Sequence, residues 1–332
     1  MNNETKIYFD EDANLDILNE KKIAVIGYGN QGKSQALNIR DSGLDVIIGN
    51  IDDEYKIKAE KDGFNVLSIP EASKIADIIM LLIPDEIMID VIEEKIKPNF
   101  AENKVITFAS GYNVAFNLVN LPKNIDILLL APRMIGPGVR DLYKEEGFYS
   151  FIGVHQDYSK NAKKILLGLA KAIGSTKAGV IETTMQQEAA LDLFTEQCFG
   201  PAFGQVLMAS FQLLIEEGYP PEAILVELYM SGEFGYTWKR IAKEGIIKQM
   251  RHHSRTSQFG SLTRGMNYIQ FMQPIKEQMK KVFNKIVSGK FAKEWQQEQK
   301  KGERTLKMLL KSAKNTPLAE AEAKVHEKLR FN

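Results

Sequence analysis

The chain has 332 residues, enough for two domains, because single hydrophobic cores usually stop growing before that length. Lysine plus arginine and aspartate plus glutamate each number 43, so no net charge would hold the chain on nucleic acid or an anionic membrane. The single cysteine, Cys198, excludes an internal disulfide and fits a reducing compartment. No apolar run approaches 18 residues and no apolar segment opens the chain. We therefore expect a soluble, cytoplasmic protein without a signal peptide or membrane span.

The first βαβ unit carries a glycine motif. A β-branched run at residues 22–26 predicts a buried strand, a helical pattern ends at Gly43, and a second strand is predicted at residues 45–49. The glycines between the first strand and the helix permit a tight turn, close approach of a pyrophosphate and close packing of the helix. The helix N-terminus would face the phosphates. The residues predicted to bind a dinucleotide are Gly27, Tyr28, Gly29, Asn30, Gln31 and Gly32.

The alternation of strand and helix continues through the first half of the chain. Further strands are predicted at residues 76–84, 104–108, 126–131 and 149–154. Residues 1–182 are therefore predicted to form a Rossmann-like, doubly wound α/β domain. Strand-like runs cease after Ile181, and residues 183–332 are predicted to form an all-α domain.

The segment after the second strand decides between the two nicotinamide cofactors. Asn50, Asp52 and Asp53 occupy it, and no arginine does. An acidic side chain at this point binds a ribose 2′-hydroxyl and repels a 2′-phosphate, which favours NADH over NADPH. Lys56 and Lys58 follow closely and can meet a phosphate, so NADPH stays possible. In the alternative interpretation, the acids only solvate a loop.

Carboxylates recur on the apolar helices of the second half. Glu188, Asp192 and Glu196 are spaced i, i+4 and i+8, where like charges on one helix face repel. Glu227 lies within an apolar run, where an unpaired charge is costly. One interpretation is a solvated acidic face. The other is a site in which these oxygen ligands share a hard cation such as Mg²⁺, and the presence of acids on two helices favours it.

The motifs together resemble those of the ketol-acid reductoisomerase family, in its short class I form. Residues 27–32 read G-Y-G-N-Q-G, and residues 36–43 read A-L-N-I-R-D-S-G. Residues 154–157 read V-H-Q-D, residues 192–197 read D-L-F-T-E-Q, and residues 289–295 read G-K-F-A-K-E-W. The resemblance runs nearly from end to end of the chain.

The resemblance implies a Mg²⁺-dependent alkyl migration in 2-acetolactate or 2-aceto-2-hydroxybutyrate, followed by reduction with a nicotinamide to a 2,3-dihydroxy acid of valine or isoleucine biosynthesis. It implies two Mg²⁺ ions, with Asp192 bridging both, Glu196 binding one and Glu227 the other. It implies that Ser254 contacts substrate. It further implies a knotted helical domain and a homodimer or higher homo-oligomer, in which Glu227 and Ser254 reach the site from the partner.

Three positions depart from the family pattern. The family's F-A-H-G-F reads F-A-S-G-Y at residues 108–112, which places Ser110 at a histidine position beside Gly111, a further predicted cofactor contact. Arg133 stands where the family has a catalytic lysine, and Ser231 stands where it has a fourth glutamate. We assign catalytic positions to Ser110 and Arg133 on this basis. Either Ser231 binds metal through water or Glu233 is recruited by a local distortion.

Two alternatives to the full reaction follow from these departures. The first is a related 2-oxo acid reductase that has lost the isomerisation. The second is a non-catalytic NAD(H)-binding protein, against which the charged residues on apolar helices argue, because buried charges without a task would cost stability.

Overall fold

The computed structural model describes residues 5–329. The chain divides into two compact units, Met1–Leu191 and Asp192–Asn332, called here the N-terminal unit and the helical unit. The domain boundary that the sequence suggests, between residues 182 and 183, stays a prediction, as does the knot.

Among residues 5–329, nine strands form one sheet in the N-terminal unit. The strands are β1 (Ile7–Tyr8), β2 (Ile23–Ile26), β3 (Val46–Gly49), β4 (Val66–Leu67), β5 (Ile78–Leu81), β6 (Val105–Phe108), β7 (Asp126–Pro132), β8 (Ser150–Gln156) and β9 (Val180–Glu182). Their order in the sheet is β1-β9-β8-β7-β6-β5-β2-β3-β4. The chain therefore extends the sheet on one side of β2 before it returns to place β5 on the other.

The centre of the sheet is parallel and buried on both faces. Strands β2, β3, β5, β6 and β7 pair in parallel, and all their residues are buried. Ile23 and Val25 pack into one hydrophobic core, whereas Ala24 and Ile26 pack into a second. Successive side chains of a strand point to opposite faces, so the two cores lie on opposite sides of the sheet. The doubly wound α/β class is confirmed.

The sheet departs from a uniform parallel arrangement at one edge. Strand β8 pairs antiparallel with β7, and β1 pairs antiparallel with β9. The helices that cover the sheet are α1 (Asn30–Asp41), α2 (Glu54–Lys61), α3 (Ile69–Ile75), α4 (Asp85–Val91), α5 (Tyr112–Ala115), α6 (Gly136–Tyr143) and α7 (Ala162–Ala172).

The second half of the chain is largely helical, as predicted. Its helices are α8 (Met185–Phe194), α9 (Gly200–Glu216), α10 (Pro221–Leu225), α11 (Glu233–Glu244), α12 (Arg255–Gly265), α13 (Ile269–Val287), α14 (Lys290–Lys300), α15 (Arg304–Ala313) and α16 (Pro317–Lys328). Thr184 caps the start of α8: its hydroxyl accepts from the Gln187 amide at 3.1 Å, and the Gln187 side chain accepts from the Thr184 amide at 3.0 Å. This is a capping box.

The helical unit buries little of its apolar surface. Its core among the described residues is small, with Phe211, Ile224, Leu225, Ala321 and Val325 at its centre. Many large apolar side chains of the same unit are exposed, among them Val206, Ile247, Phe259, Met266 and Tyr268.

One continuous helical segment, Met185–Glu216, has the length and composition of a membrane span within the described residues. Its most apolar window has a mean hydropathy of 1.5, and 11% of that window is buried. The sequence rule, which requires an unbroken apolar run, does not detect this segment because polar residues such as Gln205 and Gln212 interrupt the run. One such helix is weak evidence for a span, since a helix that packs against protein passes the same test.

Candidate active site

The glycine motif forms a turn at the carboxyl end of β2. Gly27 has φ +92°, and a Cβ there would lie 2.7 Å from the Leu82 carbonyl oxygen. A Cβ on Gly32 would lie 2.0 Å from the Gly27 carbonyl oxygen, whereas a Cβ on Gly29 would meet nothing within 4 Å. Packing therefore requires the first and third glycines, and the space beside the second is open. This arrangement fits a dinucleotide pyrophosphate at the N-terminus of α1.

Two side chains of the motif are engaged within the protein. Tyr28 is buried and its hydroxyl donates to Asp62 at 2.8 Å. The Gln31 amide donates to the Met134 carbonyl at 2.8 Å. The side chains of Tyr28 and Gln31 are therefore already hydrogen-bonded within the protein, whereas the Asn30 side chain is exposed.

The ends of β3 and β4 border a cavity of about 520 Å³ that includes Asn50, Asp52 and Lys56 in its lining. Asp53 caps α2: its Oδ1 accepts from the Tyr55 amide at 2.9 Å and from the Asn50 side chain at 2.8 Å. Asp52 pairs with Lys56 at 2.5 Å, and this hydrogen bond lowers the pKa of the Asp52 carboxyl. Asp53 thus fixes the start of α2, and Asp52 neutralises a lysine.

The carboxyl ends of β6 and β7 and the first turns of α8 meet at a buried carboxylate, Glu188. Its side chain is 0% exposed. Glu188 Oε2 accepts from the Gly111 amide at 2.6 Å, and its Oε1 pairs with Arg133 Nη2 at 2.8 Å. The Ser110 hydroxyl accepts from the Tyr112 amide at 3.2 Å. The structure thus brings Gly111 and Arg133 onto one side chain.

The spacing in the sequence grouped Glu188 with Asp192 and Glu196 and predicted no separate role for it. The residue is instead enclosed, because the loop after β6 lies directly on α8: a Cβ on Gly111 would come within 2.3 Å of the Met185 carbonyl oxygen. This contact joins residues far apart in the chain, and no local pattern predicts it. The only local signal is that Glu188 lies one turn after Met185 and next to Ala189, both apolar and both buried.

Two of the three acids predicted to bind metal, Glu196 and Glu227, lie in π-helical turns. Asp192 is half-buried near the end of α8, and Glu196 is exposed in a π-helical turn, Thr195–Phe199. Glu227 is exposed in a second π-helical turn, Val226–Met230. A π turn inserts one residue, so the i, i+4 face drawn from a regular helix shifts there. Such turns are frequent at functional sites.

The residues after Glu227 start a new helix. Gly232 has φ +80°, and the Ser231 hydroxyl accepts from the Glu233 amide at 3.3 Å, at the start of α11. Ser254 is the N-cap of α12, where its hydroxyl accepts from the Ser257 amide at 3.1 Å.

Within residues 5–329 of one chain, no group of three or more His, Cys, Asp or Glu side chains is placed to hold a metal ion. The donors of Asp192, Glu196 and Glu227 are carboxylate oxygens, which is the chemistry that Mg²⁺ selects. Their type fits the ion.

Comparison with known proteins identifies the family. Residues 17–179 match the family model described as acetohydroxy acid isomeroreductase, NADPH-binding domain, and residues 185–331 match ketol-acid reductoisomerase, C-terminal domain. The chain belongs to the ketol-acid reductoisomerase family. It is accordingly an enzyme, an oxidoreductase with a nicotinamide-binding domain, and it acts on small molecules.

Similar proteins of this family come from archaea. The ketol-acid reductoisomerase (NADP(+)) of Methanopyrus kandleri is 41% identical over 98% of this chain and 97% of its own. That of Pyrobaculum aerophilum is 41% identical over 98% of each chain. A solved structure of an NADH-preferring ketol-acid reductoisomerase from an uncultured archaeon is 32% identical, with a TM-score of 0.92 over 98% of this chain and 100% of that one.

Proposed function

We propose that the enzyme converts 2-acetolactate and 2-aceto-2-hydroxybutyrate into 2,3-dihydroxy acids. The alkyl group on C2 migrates to C3, and a hydride from the nicotinamide then reduces the new 2-oxo group. End-to-end similarity to named ketol-acid reductoisomerases carries this proposal. The retained set of Asp192, Glu196, Glu227 and Ser254 supports the complete reaction over reduction alone. We also propose that the enzyme is cytoplasmic.

The carboxylates are proposed to bind two Mg²⁺ ions. Asp192 would bridge both ions, and Glu196 would bind one of them. Mg²⁺, when bound, polarises the substrate's hydroxyl and carbonyl oxygens as a Lewis acid. We propose that Glu227 and Ser254 reach this site from a second copy of the chain. The π turns around Glu196 and Glu227 support a functional role for both acids.

A homodimer, or a larger homo-oligomer, is proposed as the active form. The small core of the helical unit and its many exposed apolar side chains support a covering partner of the same kind. Exposed apolar side chains in such number favour an interaction site.

NADH is proposed as the favoured reductant. The acidic Asp52 at the edge of the nucleotide cavity and its pairing with Lys56 support this preference, since the pair leaves little positive charge for a 2′-phosphate. The curated relatives are named for NADP⁺, so NADPH is the alternative.

The deciding experiment is nicotinamide oxidation by the purified protein with 2-acetolactate, in Mg²⁺ and in EDTA, with NADH and NADPH separately. We expect turnover that disappears in EDTA and yields 2,3-dihydroxyisovalerate. Reduction of the rearranged 2-oxo acid without any turnover of acetolactate would overturn the proposal in favour of a reductase. Tight cofactor binding with no turnover of either would identify a binding protein.

A further inference from the structure

Glu244, the last residue of α11, contacts three basic side chains. Its Oε1 lies 3.1 Å from Arg240 Nη1 and 3.0 Å from His252 Nε2. Its Oε2 lies 3.0 Å from Arg251 Nη2, and its side chain is 14% exposed. The helix dipole disfavours a carboxylate at the carboxyl end of a helix, so these partners offset an unfavourable position. A local rule that is broken and then compensated is expected at functional sites.

Two of the three partners tie the segment that follows α11 back to the end of that helix. Gly245 has φ +88° and ends α11, and Lys248–His252 forms a short 3-10 helix. Arg251 and His252 lie at the end of this short helix, so their contacts with Glu244 close the segment into a turn. Residues 245–253 are called here the α11–α12 turn.

Ser254 directly follows this turn and is exposed as the N-cap of α12. Its hydroxyl oxygen accepts from the Ser257 amide at 3.1 Å. A hydroxyl that accepts a hydrogen bond still has its own hydrogen to donate. The Gln258 side chain donates to the His253 carbonyl at 2.8 Å, which fixes the end of the turn to the first turns of α12. The location of the Ser254 hydroxyl therefore depends on the α11–α12 turn.

We propose that Glu244 is a positioning residue of the reaction. It holds Arg251 and His252 against the end of α11, and the turn fixed in this way sets where the Ser254 hydroxyl meets an oxygen of the 2-hydroxy-oxo acid. Glu244 acts through the turn and not by contact with the substrate. This inference rests on the proposed function, in which Ser254 contacts substrate.

The kinetic test compares Glu244→Gln with Glu298→Gln. Glu298 is a matched control near the end of α14 in the same unit, because its carboxylate also holds the segment after its helix. It accepts from the Thr305 hydroxyl at 3.0 Å and from the Leu306 amide at 3.2 Å.

We expect Glu244→Gln to raise KM for 2-acetolactate by about fivefold, the size of one misplaced hydrogen bond, with a smaller change in kcat. KM for the nicotinamide should stay unchanged, because the nicotinamide-binding domain lies in the N-terminal unit. A merely structural defect would not separate the two KM values. Equal KM values for 2-acetolactate in Glu244→Gln and Glu298→Gln would overturn the inference.

Milder variants serve if Glu244→Gln does not fold. Arg251→Gln and His252→Gln each remove one partner of Glu244 and leave the other two, so each should raise KM for 2-acetolactate by about two- to fivefold. Glu244→Asp, which keeps the charge, should have a KM closer to that of wild type than Glu244→Gln has. A wild-type KM in both Arg251→Gln and His252→Gln would contradict the positioning role.

Amide hydrogen exchange separates failure of this inference from failure of the proposed function, because it needs no turnover. The amides of Gln249, Met250 and His253 donate to carbonyls within the α11–α12 turn. Glu244→Gln should accelerate their exchange at least several-fold, whereas Glu298→Gln should leave it unchanged. Unchanged exchange in Glu244→Gln would refute the positioning role even in an active enzyme. Accelerated exchange beside a wild type that does not turn over acetolactate would refute only the proposed reaction.

Discussion

Asp52 and Lys56 form an ion pair at the edge of the cavity that β3 and β4 border, and a second pair of the same kind, Glu54 with Lys58, lies on α2. Only the first pair lines the cavity. In each pair the acid precedes the lysine by four residues, so the two pairs have the same spacing and similar chemistry. They differ mainly in their location. This difference makes cofactor choice testable at single residues.

Asp52→Asn should release Lys56 and raise kcat/KM for NADPH relative to NADH by about two- to fivefold, the size expected for one exposed charge. Glu54→Gln should leave that ratio unchanged. Steady-state kinetics with both cofactors would decide the question. An equal shift in both variants would show that overall charge, and not the cavity, sets the preference.

Gly29 and Gly32 should respond differently to alanine. Gly29→Ala should fold with an unchanged melting temperature, because its Cβ meets no protein atom within 4 Å. It should weaken dinucleotide binding by at least about tenfold, because the Cβ would occupy the space proposed for the pyrophosphate. Gly32→Ala should lower the melting temperature, since its Cβ would lie 2.0 Å from the Gly27 carbonyl oxygen. Fluorescence titration and thermal unfolding distinguish them. Normal dinucleotide binding by Gly29→Ala would show that the pyrophosphate does not lie beside Gly29.

At the scale of elements, Asp62 links the glycine turn to helices α1 and α2. It accepts from the Tyr28 hydroxyl at 2.8 Å and pairs with Lys33 at 2.8 Å. The Lys33 hydrogen bond is the main cause that lowers the pKa of the Asp62 carboxyl. A carboxyl with a lowered pKa stabilises the fold above its unfolded pKa of about 4, and this contribution is lost as the pH falls through the folded value.

Asp62→Asn should therefore lower the free energy of unfolding by about 1 kcal/mol at pH 7, a modest value because the side chains of Asp62 and Lys33 are both partly exposed. The difference from wild type should shrink below about pH 4 and vanish below the folded pKa. Denaturant unfolding across this range measures it. A difference that is independent of pH would mean that shape, and not charge, explains the loss.

Elements with a strong local pattern could be predicted from the sequence, and those defined by distant contacts could not. The six predicted strands occur, because long apolar runs bounded by glycine or charge predict buried strands. Strands β1, β4 and β9 were missed, because two or three residues carry no periodicity. The antiparallel pairing of β8 was also missed, since a run shows burial and not direction.

In the candidate site, too, local sequence patterns predicted some features, whereas features that depend on distant contacts were not predicted. Family motifs supplied Asp192, Glu196 and Glu227, but regular helical spacing did not predict the π turns that carry two of them. The enclosure of Glu188 depends on a loop from another part of the chain. Whether the predicted residues act as assigned stays a prediction.

At the scale of the whole molecule, subunit exchange can test where Glu227 acts. Asp192→Asn and Glu227→Gln should each be inactive alone. If Glu227 serves its partner's site, a mixed dimer holds one intact site, and an equal mixture after exchange should regain about a quarter of wild-type activity by random pairing. Recovery is expected only after refolding or co-expression. No recovery in verified mixed dimers would place both acids in the same chain's site.

During synthesis, the segment Met185–Glu216 leaves the ribosome before the rest of the helical unit exists. Its length and apolar composition at that moment are those of a possible membrane span. A charged residue opposes insertion by about 2.5–3.5 kcal/mol at the centre of such a segment and by less toward its ends. Glu188, Asp192 and Glu196 all lie in the first half of the segment. Neutralising them should therefore raise its tendency to insert only modestly, which fractionation of the expressed variants into membrane and supernatant would measure.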